Sequence, residues 1–206
     1  MIKLHHLNKS RSKRIIWLLE ELGIDYDLVA YQRNPETFLA PDDLKEIHPL
    51  GKAPVIEDNG KIITESGAIT DYLITTYGKG KYMPEPQSDS YVSYQQWLHF
   101  AESSAMVPFL LKLFITKDGC KTNFIGDYAD NEIGKILSYV NQQLKGKQYL
   151  VDDTLTGADF MMSFVIEKVA EAGMLSHFAE IERYFEQLKT HESYHTANEL
   201  EEKYGK

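Results

Sequence analysis

Residues 48–66 read HPLGKAPVIEDNGKIITES, and this stretch decides the fold class. Pro54-Val55-Ile56-Glu57 and Lys61-Ile62-Ile63-Thr64 flank Asp58-Asn59-Gly60. The Asn-Gly pair supplies the positive φ angles of a tight turn, so the two runs predict an antiparallel hairpin. Pro54 opens the first run without an N–H for the ladder, which suggests an edge position or an unusual peptide bond. A cis Ala53–Pro54 bond would turn the N–H and C=O of Ala53 toward an extended peptide that could pair with them.

Toward the N-terminus, Lys3 to Leu7 reads as a first strand. Ile15, Leu18, Leu19 and Leu22 then fall on one face of a helix, with Ser10 as its cap and Gly23 at its end. A second strand is expected from Tyr26 to Tyr31, then a polar loop over 34–41 and a helical turn over 42–47. After the hairpin, Ile69, Tyr72, Leu73 and Thr76 mark another helix that ends near Tyr77. The predicted order is β-α-β-α-β-β-α: one βαβ unit with a hairpin appended.

Toward the C-terminus, residues 78–90 (GKGKYMPEPQSDS) are rich in Gly, Pro and Ser and read as a linker. Everything beyond it is periodic and helical. Pro108 is expected to kink or divide the run from Tyr91 to Thr116, and Met106, Phe109, Leu110, Leu113 and Phe114 are expected mostly in a core. Thr156-Gly157-Ala158-Asp159 has the spacing of a capping box, and the apolar helix it opens should be central. The expected division is 1–79, a linker over 80–90, and an all-α segment over 91–206.

Composition narrows the function. The chain of 206 residues is 43% hydrophobic and 26% charged, as in soluble globular proteins. A formal charge of -9 disfavours nucleic acid as a partner. No apolar stretch approaching the ~20 residues of a membrane span is read, so no membrane partner is expected. The start of the chain has no signal-peptide pattern. Cys120 is the sole cysteine, which fits a reducing cytoplasm. His5 and His6 alternate faces on a strand, and no histidine has metal-ligand spacing, so no metal is expected.

Three segments could carry chemistry. At Ser10-Arg11-Ser12-Lys13-Arg14, three basic side chains oppose the dipole of the helix they begin. A serine hydroxyl at such a turn can favour ionisation of a thiol. Lowering a thiol from about 8.5 by ~2 units needs ~2.7 kcal/mol, and one hydrogen bond to a charged group provides ~1.5–3 kcal/mol. Capping alone would also explain Ser10. At the second segment Lys52 could meet a carboxylate, or be solvated. At the third, Ser66 could cap a helix whose free N–H groups receive a carboxylate, while Glu65 meets an ammonium. An acidic neighbour to a plain cap is the simpler reading there. Jointly they describe a receptor for a short peptide with a thiol in its middle.

The strings SRSKRIIWLLEELG, HPLGKAPVI and ESGAITDYL, in that order, resemble the glutathione transferase family. Ser10 followed four residues later by Arg14 is similar to its serine-type, theta-like classes. No tyrosine lies near the N-terminus and position 10 is not cysteine, unlike the tyrosine-type and thiol-transfer branches. The resemblance implies a thioredoxin-like N-terminal α/β domain for glutathione and an all-α C-terminal domain for the electrophile. It implies that Ser10 stabilises the glutathione thiolate, with Ser12 and Asn8 as polar neighbours able to take that role. Lys52 would bind the glycine carboxylate, Ala53 the cysteinyl backbone, and Glu65 with Ser66 the γ-glutamyl end. Glutathione would be a co-substrate, with no further cofactor. The implied reaction is thiolate addition to small apolar electrophiles, with peroxide reduction as a further activity. A homodimer is implied, with Glu102 a candidate for an acidic residue acting from the partner. The alternative is a glutathione- or ligand-binding protein of the same fold without turnover.

Overall fold

The computed structural model describes residues 1–205. Its chain forms two compact units, Met1–Lys81 joined by the segment from Lys189 onward, and Tyr82–Leu188.

The first unit follows the expected order: β1 (Ile2–Leu7), α1 (Ser12–Leu22), β2 (Tyr26–Tyr31), α2 (Asp43–Ile47), β3 (Val55–Asp58), β4 (Lys61–Ile63) and α3 (Ser66–Tyr77). The sheet order is β2-β1-β3-β4. β1 and β2 are parallel, Ile2 opposite Tyr26 through Leu7 opposite Tyr31, so α1 is the crossover such a pair requires. β3 runs antiparallel to both β1 and β4. Asn59 (φ 49) and Gly60 (φ 76) make the turn. α1 ends at Gly23 (φ 64): Gly23 N–H donates to Glu20 O and Ile24 N–H to Leu19 O, a Schellman pattern.

The second unit contains α4 (Asp89–Phe100), a π-helical turn (Ala101–Ala105), α5 (Met106–Asp118), α6 (Ile125–Gln143), α7 (Gly157–Glu171) and α8 (Ala179–Leu188). The run from Asp89 to Asp118 does not break at Pro108. Proline there would clash with the carbonyl four residues back, Ser104, and the widened π turn just upstream accommodates it. On length and composition alone this 30-residue run could span a bilayer, contrary to the sequence reading. Its inner face is nonetheless protein core: Tyr94, Trp97, Leu98, Ala101, Ala105 and Met106 are buried, with α4 on α7 and α5 on α6. Phe109 and Leu110 are half-buried, and Leu113 and Phe114 are exposed, so of that apolar set Met106 alone is core. α7 is central as expected, with Phe160, Met161, Met162, Val165, Ile166 and Val169 buried.

The compact units depart from the expected ranges at both ends. Tyr82, inside the expected linker, belongs to the helical unit: its carbonyl accepts from Gly157 N–H (2.8 Å) and its ring meets Phe160 edge-on. The final helix, α9 (Glu192–Tyr204), packs on α1 in the first unit. Trp17 Nε1 donates to Ser193 Oγ (3.0 Å) and the Trp17 ring meets Tyr194 at 5.1 Å. That second cover explains why α1 buries Ile16 and Trp17 as well as Ile15, Leu18 and Leu19. Each aliphatic side chain so buried contributes about 1.5–3 kcal/mol.

Candidate functional site

The turn between β1 and α1 is built by side-chain bonds to its own backbone. Ser12 Oγ accepts from Leu7 N–H (3.2 Å) and also reaches Leu7 O (3.2 Å), pinning the helix start to the strand end. Lys9 takes a left-handed conformation (φ 54), and its N–H donates to Glu201 Oε1 of α9 (2.6 Å). α1 starts at Ser12, with Arg11 in the cap position and without a side-chain cap. The expected Ser10 cap is therefore corrected: Ser10 Oγ accepts from Ser12 N–H (3.2 Å), a serine turn placed before the helix.

All three candidates for thiolate partner lie here and are buried. Asn8 Oδ1 accepts from Arg33 N–H (2.9 Å), which commits it to the loop after β2. Ser12 is fully enclosed, between Leu7 and His6 Nδ1 (2.7 Å). Ser10 retains 5% exposure, and its Oγ lies 2.7 Å from Ser12 Oγ.

The basic residues that opposed the helix dipole have distinct surroundings. Arg14 is buried, and its Nη2 donates to Ser66 Oγ (2.6 Å). Lys13 Nζ stands over the Tyr194 ring at 5.6 Å. Arg11 stays half-buried beside Arg33, whose guanidinium is lowered first by burial and then by that like charge.

The other predicted residues belong to the same unit. The Ala53–Pro54 bond is cis and Lys52 is exposed, with no ion pair among the described residues. Ser66 does not cap α3; it is the helix's first residue, and its hydroxyl is engaged by Arg14. Glu65 holds the cap position without a side-chain bond, exposed, at φ 63 and ψ 113. That positive φ is unfavourable for a residue with a Cβ and recurs at functional positions.

Sequence reasoning passed over His6, Arg14 as a contact, and Glu201. His5 and His6 do face opposite ways: His5 bonds Tyr31 Oη (2.9 Å) and Glu57 (2.8 Å), whereas His6 turns to Ser12. Burial pulls His6 down to about 4, so its ring is neutral at neutral pH. Cys120 is exposed, and its thiol is pushed up, first by a hydrogen bond with Asp118, which disfavours the nucleophilic thiolate. No cluster of His, Cys, Asp and Glu suited to a metal occurs among the described residues.

Comparison with known proteins identifies the family. Residues 1–75 match the family model for the glutathione S-transferase N-terminal domain, and residues 125–192 that for the C-terminal domain. Glutathione S-transferase 3 of Schizosaccharomyces pombe is 33% identical over 81% of this chain and 73% of its own length. Glutathione S-transferase 1 of Saccharomyces cerevisiae is 29% identical over 97% and 94%. A glutathione S-transferase crystal structure from Actinobacillus pleuropneumoniae superposes with a TM-score of 0.88 at 36% identity, covering 98% of this chain and 93% of that one. A glutathione transferase homolog from Lodderomyces elongisporus, solved with two glutathione molecules per subunit, has the same fold (TM-score 0.85, 20% identity, 97% and 98% coverage). The chain belongs to the glutathione S-transferase family.

Proposed function

We propose that this chain, a glutathione transferase by family, holds glutathione on its first unit and adds the thiolate to a small apolar electrophile, or reduces a hydroperoxide with it, the sulfur taking one peroxide oxygen while the alcohol leaves. Ser10 is the thiolate's hydrogen-bond partner, as in a serine-type enzyme. Lys52 meets the glycine carboxylate, Ala53 pairs with the cysteinyl backbone, and Glu65 with Ser66 holds the γ-glutamyl end. The observation that carries the reading is the Arg14–Ser66 bond of 2.6 Å, which sets the first turn of α1 beside the first residue of α3. Two helix N-termini are thereby available to one anionic peptide. The helical unit receives the electrophile. Catalysis comes from thiol ionisation and from holding both reactants together. The enzyme works in the cytoplasm. Exposed Val92, Val107 and Phe114 favour a homodimer, which light scattering would register as twice the 23.7 kDa chain mass.

The test separates binding from ionisation. Ser10→Ala should leave glutathione affinity nearly intact by calorimetry and raise the bound thiol's pKa by about one to two units. Lys52→Ala and Glu65→Gln should do the reverse, weakening binding without moving the pKa. An unmoved thiol in Ser10→Ala would remove Ser10 from the mechanism.

A further inference from the structure

Three side chains of the first unit stand in series behind the Ser10 hydroxyl. Ser10 Oγ is 2.7 Å from Ser12 Oγ, and Ser12 Oγ is 2.7 Å from His6 Nδ1. His6 Nε2 makes no hydrogen bond of good geometry, and its ion-pair neighbour is Glu201 Oε2 at 3.3 Å. β1 brings His6, the turn brings Ser10, α1 brings Ser12 and α9 brings Glu201.

The proton count gives this series a direction. A neutral imidazole has one proton for two nitrogens, and a hydroxyl has one proton. Although Nε2 is not aimed at it, a carboxylate oxygen at 3.3 Å favours a proton there over a lone pair, so the His6 proton sits on Nε2. The carboxylate also accepts Lys9 N–H through Oε1 (2.6 Å) and lies in the favourable field of Arg33, with Arg11 the further charged group on that side. His6 Nδ1 is then an acceptor, and Ser12 donates to it; the Leu7 carbonyl at 3.2 Å is the weaker competitor for that proton. With its proton committed, Ser12 can only accept from Ser10 across 2.7 Å. The Ser10 proton therefore points into the protein, away from any ligand.

We propose that His6, Ser12 and Glu201 are positioning residues that hold the Ser10 proton inward, so that this chain must reverse before Ser10 can donate to a thiolate. The inference rests on Ser10 being the thiolate's partner. In the reversal the thiol S–H bond breaks and Ser10 Oγ takes its proton. Ser10 passes its own proton to Ser12, and Ser12 passes its own to His6 Nδ1. His6 gives up its buried Nε2 proton to solvent by way of the Glu201 carboxylate, whose side chain is 17% exposed. Ser10 then donates to the thiolate, Ser12 to Ser10, and His6 Nδ1–H to Ser12. Full transfer to Glu201 is the weaker alternative: a thiol near 8.5 and a carboxylate near 4.3 differ by about four units in the wrong direction. The Glu201 charge thus acts as a brake, opposing the tautomer that the outward chain needs.

Glu201→Gln tests this directly. Its amide oxygen keeps the Lys9 bond, while its NH₂ donates to His6 Nε2 and turns the chain outward. The bound thiol's pKa should fall by about one unit, read both by thiolate absorbance and by the acid limb of the pH–rate profile. Ser12→Ala cuts the chain, frees Ser10 from its inward acceptor and should also lower the pKa. In the Ser12→Ala background, Glu201→Gln should add nothing. A further fall there would mean that Glu201 acts only through its field, and the proposal would be overturned. A rise or no change in Glu201→Gln would overturn it too, a rise marking Glu201 as the proton acceptor. Were Glu201→Gln not to fold, an unchanged or raised pKa in Ser12→Ala alone would do the same. Ser10→Ala separates the two levels. If it fails to raise the pKa, the Ser10 assignment falls; if it raises it while the other variants are silent, only the chain behind it falls.

Discussion

The starts of α1 and α7 both hold a buried polar network led by hydroxyl residues, yet they differ in what their protons can do. At α7 the hub is Asp159, a carboxylate with acceptors only. It receives Leu150 N–H (3.1 Å) and the Tyr184 hydroxyl (2.8 Å) on Oδ1, and Thr156 N–H (2.8 Å) and the Thr156 hydroxyl (3.0 Å) on Oδ2. Every bond has one possible direction. At α1 the members are Ser10, Ser12 and His6, each able to donate or accept, and one ring nitrogen lacks a good partner. A network of fixed direction stabilises one conformation. A reversible one, incompletely satisfied, has the properties of a site.

The largest effect should come from breaking the fixed network. Asp159→Ala leaves the Tyr184 hydroxyl and the Leu150 and Thr156 N–H groups without their buried acceptor. Removing the charged hub of a buried network costs about 3–5 kcal/mol, and a loss of that size is expected in urea unfolding. A loss under about 1 kcal/mol would show that the α7 network is no more structural than the α1 network.

The second effect is in pH dependence, where the two networks have opposite signs. His6 is held at about 4, below its ordinary 6.5, so the unfolded chain takes up that proton first as pH falls. Its contribution is complete above pH 6.5 and is lost as pH falls through 4, a change of about 3 kcal/mol for a shift of that size. For Asp159, burial pushes the carboxyl up to about 6 against the pull of its four donors. Its contribution is complete below about 4 and is lost as pH rises through 6. Comparing wild type with His6→Gln cancels the Asp159 part. Between pH 7 and pH 4 the wild type should lose about 3 kcal/mol more stability than the variant. Parallel curves would mean that His6 titrates alike in both states.

How far these networks were legible in sequence depended on the range of their contacts. Thr156-x-x-Asp159 is local, so its capping box could be read from spacing, but Tyr184, 25 residues on, could not. The hairpin, the parallel strand order and the Gly23 terminus are also local signals, and each formed as read. Pro108 was legible as a disturbance, but the disturbance took the form of a π turn upstream, because the helix absorbs the clash on its preceding turn. α9 was read as part of the helical segment, since nothing local tells a helix which unit it will cover. That hid the burial of Trp17 and the approach of Glu201 to His6, 195 residues apart in the chain. The three strings around Ser10, Lys52 and Glu65 were legible as types, but the inward turn of the Ser10 hydroxyl depends on a residue from the far end of the chain.

Ser88 offers the smallest effect and the control for the whole comparison. It lies in the stretch read as linker and is the side-chain cap of α4, with extended backbone (φ -73, ψ 160) and Oγ accepting from Tyr91 N–H at 3.1 Å. It is only half-buried, and its one side-chain bond is to the backbone of its own helix. Water can replace part of what its removal leaves open, unlike at Asp159, and no second hydroxyl or imidazole gives its proton a choice, unlike at Ser10. Ser88→Ala should therefore cost about 1 kcal/mol, and Ser88→Gly only a few tenths. Neither change should move the pKa of a bound thiol. A loss as large as that of Asp159→Ala would mean that burial does not sort these helix starts. A shifted thiol pKa would mean that the reversible chain behind Ser10 is not what tunes it.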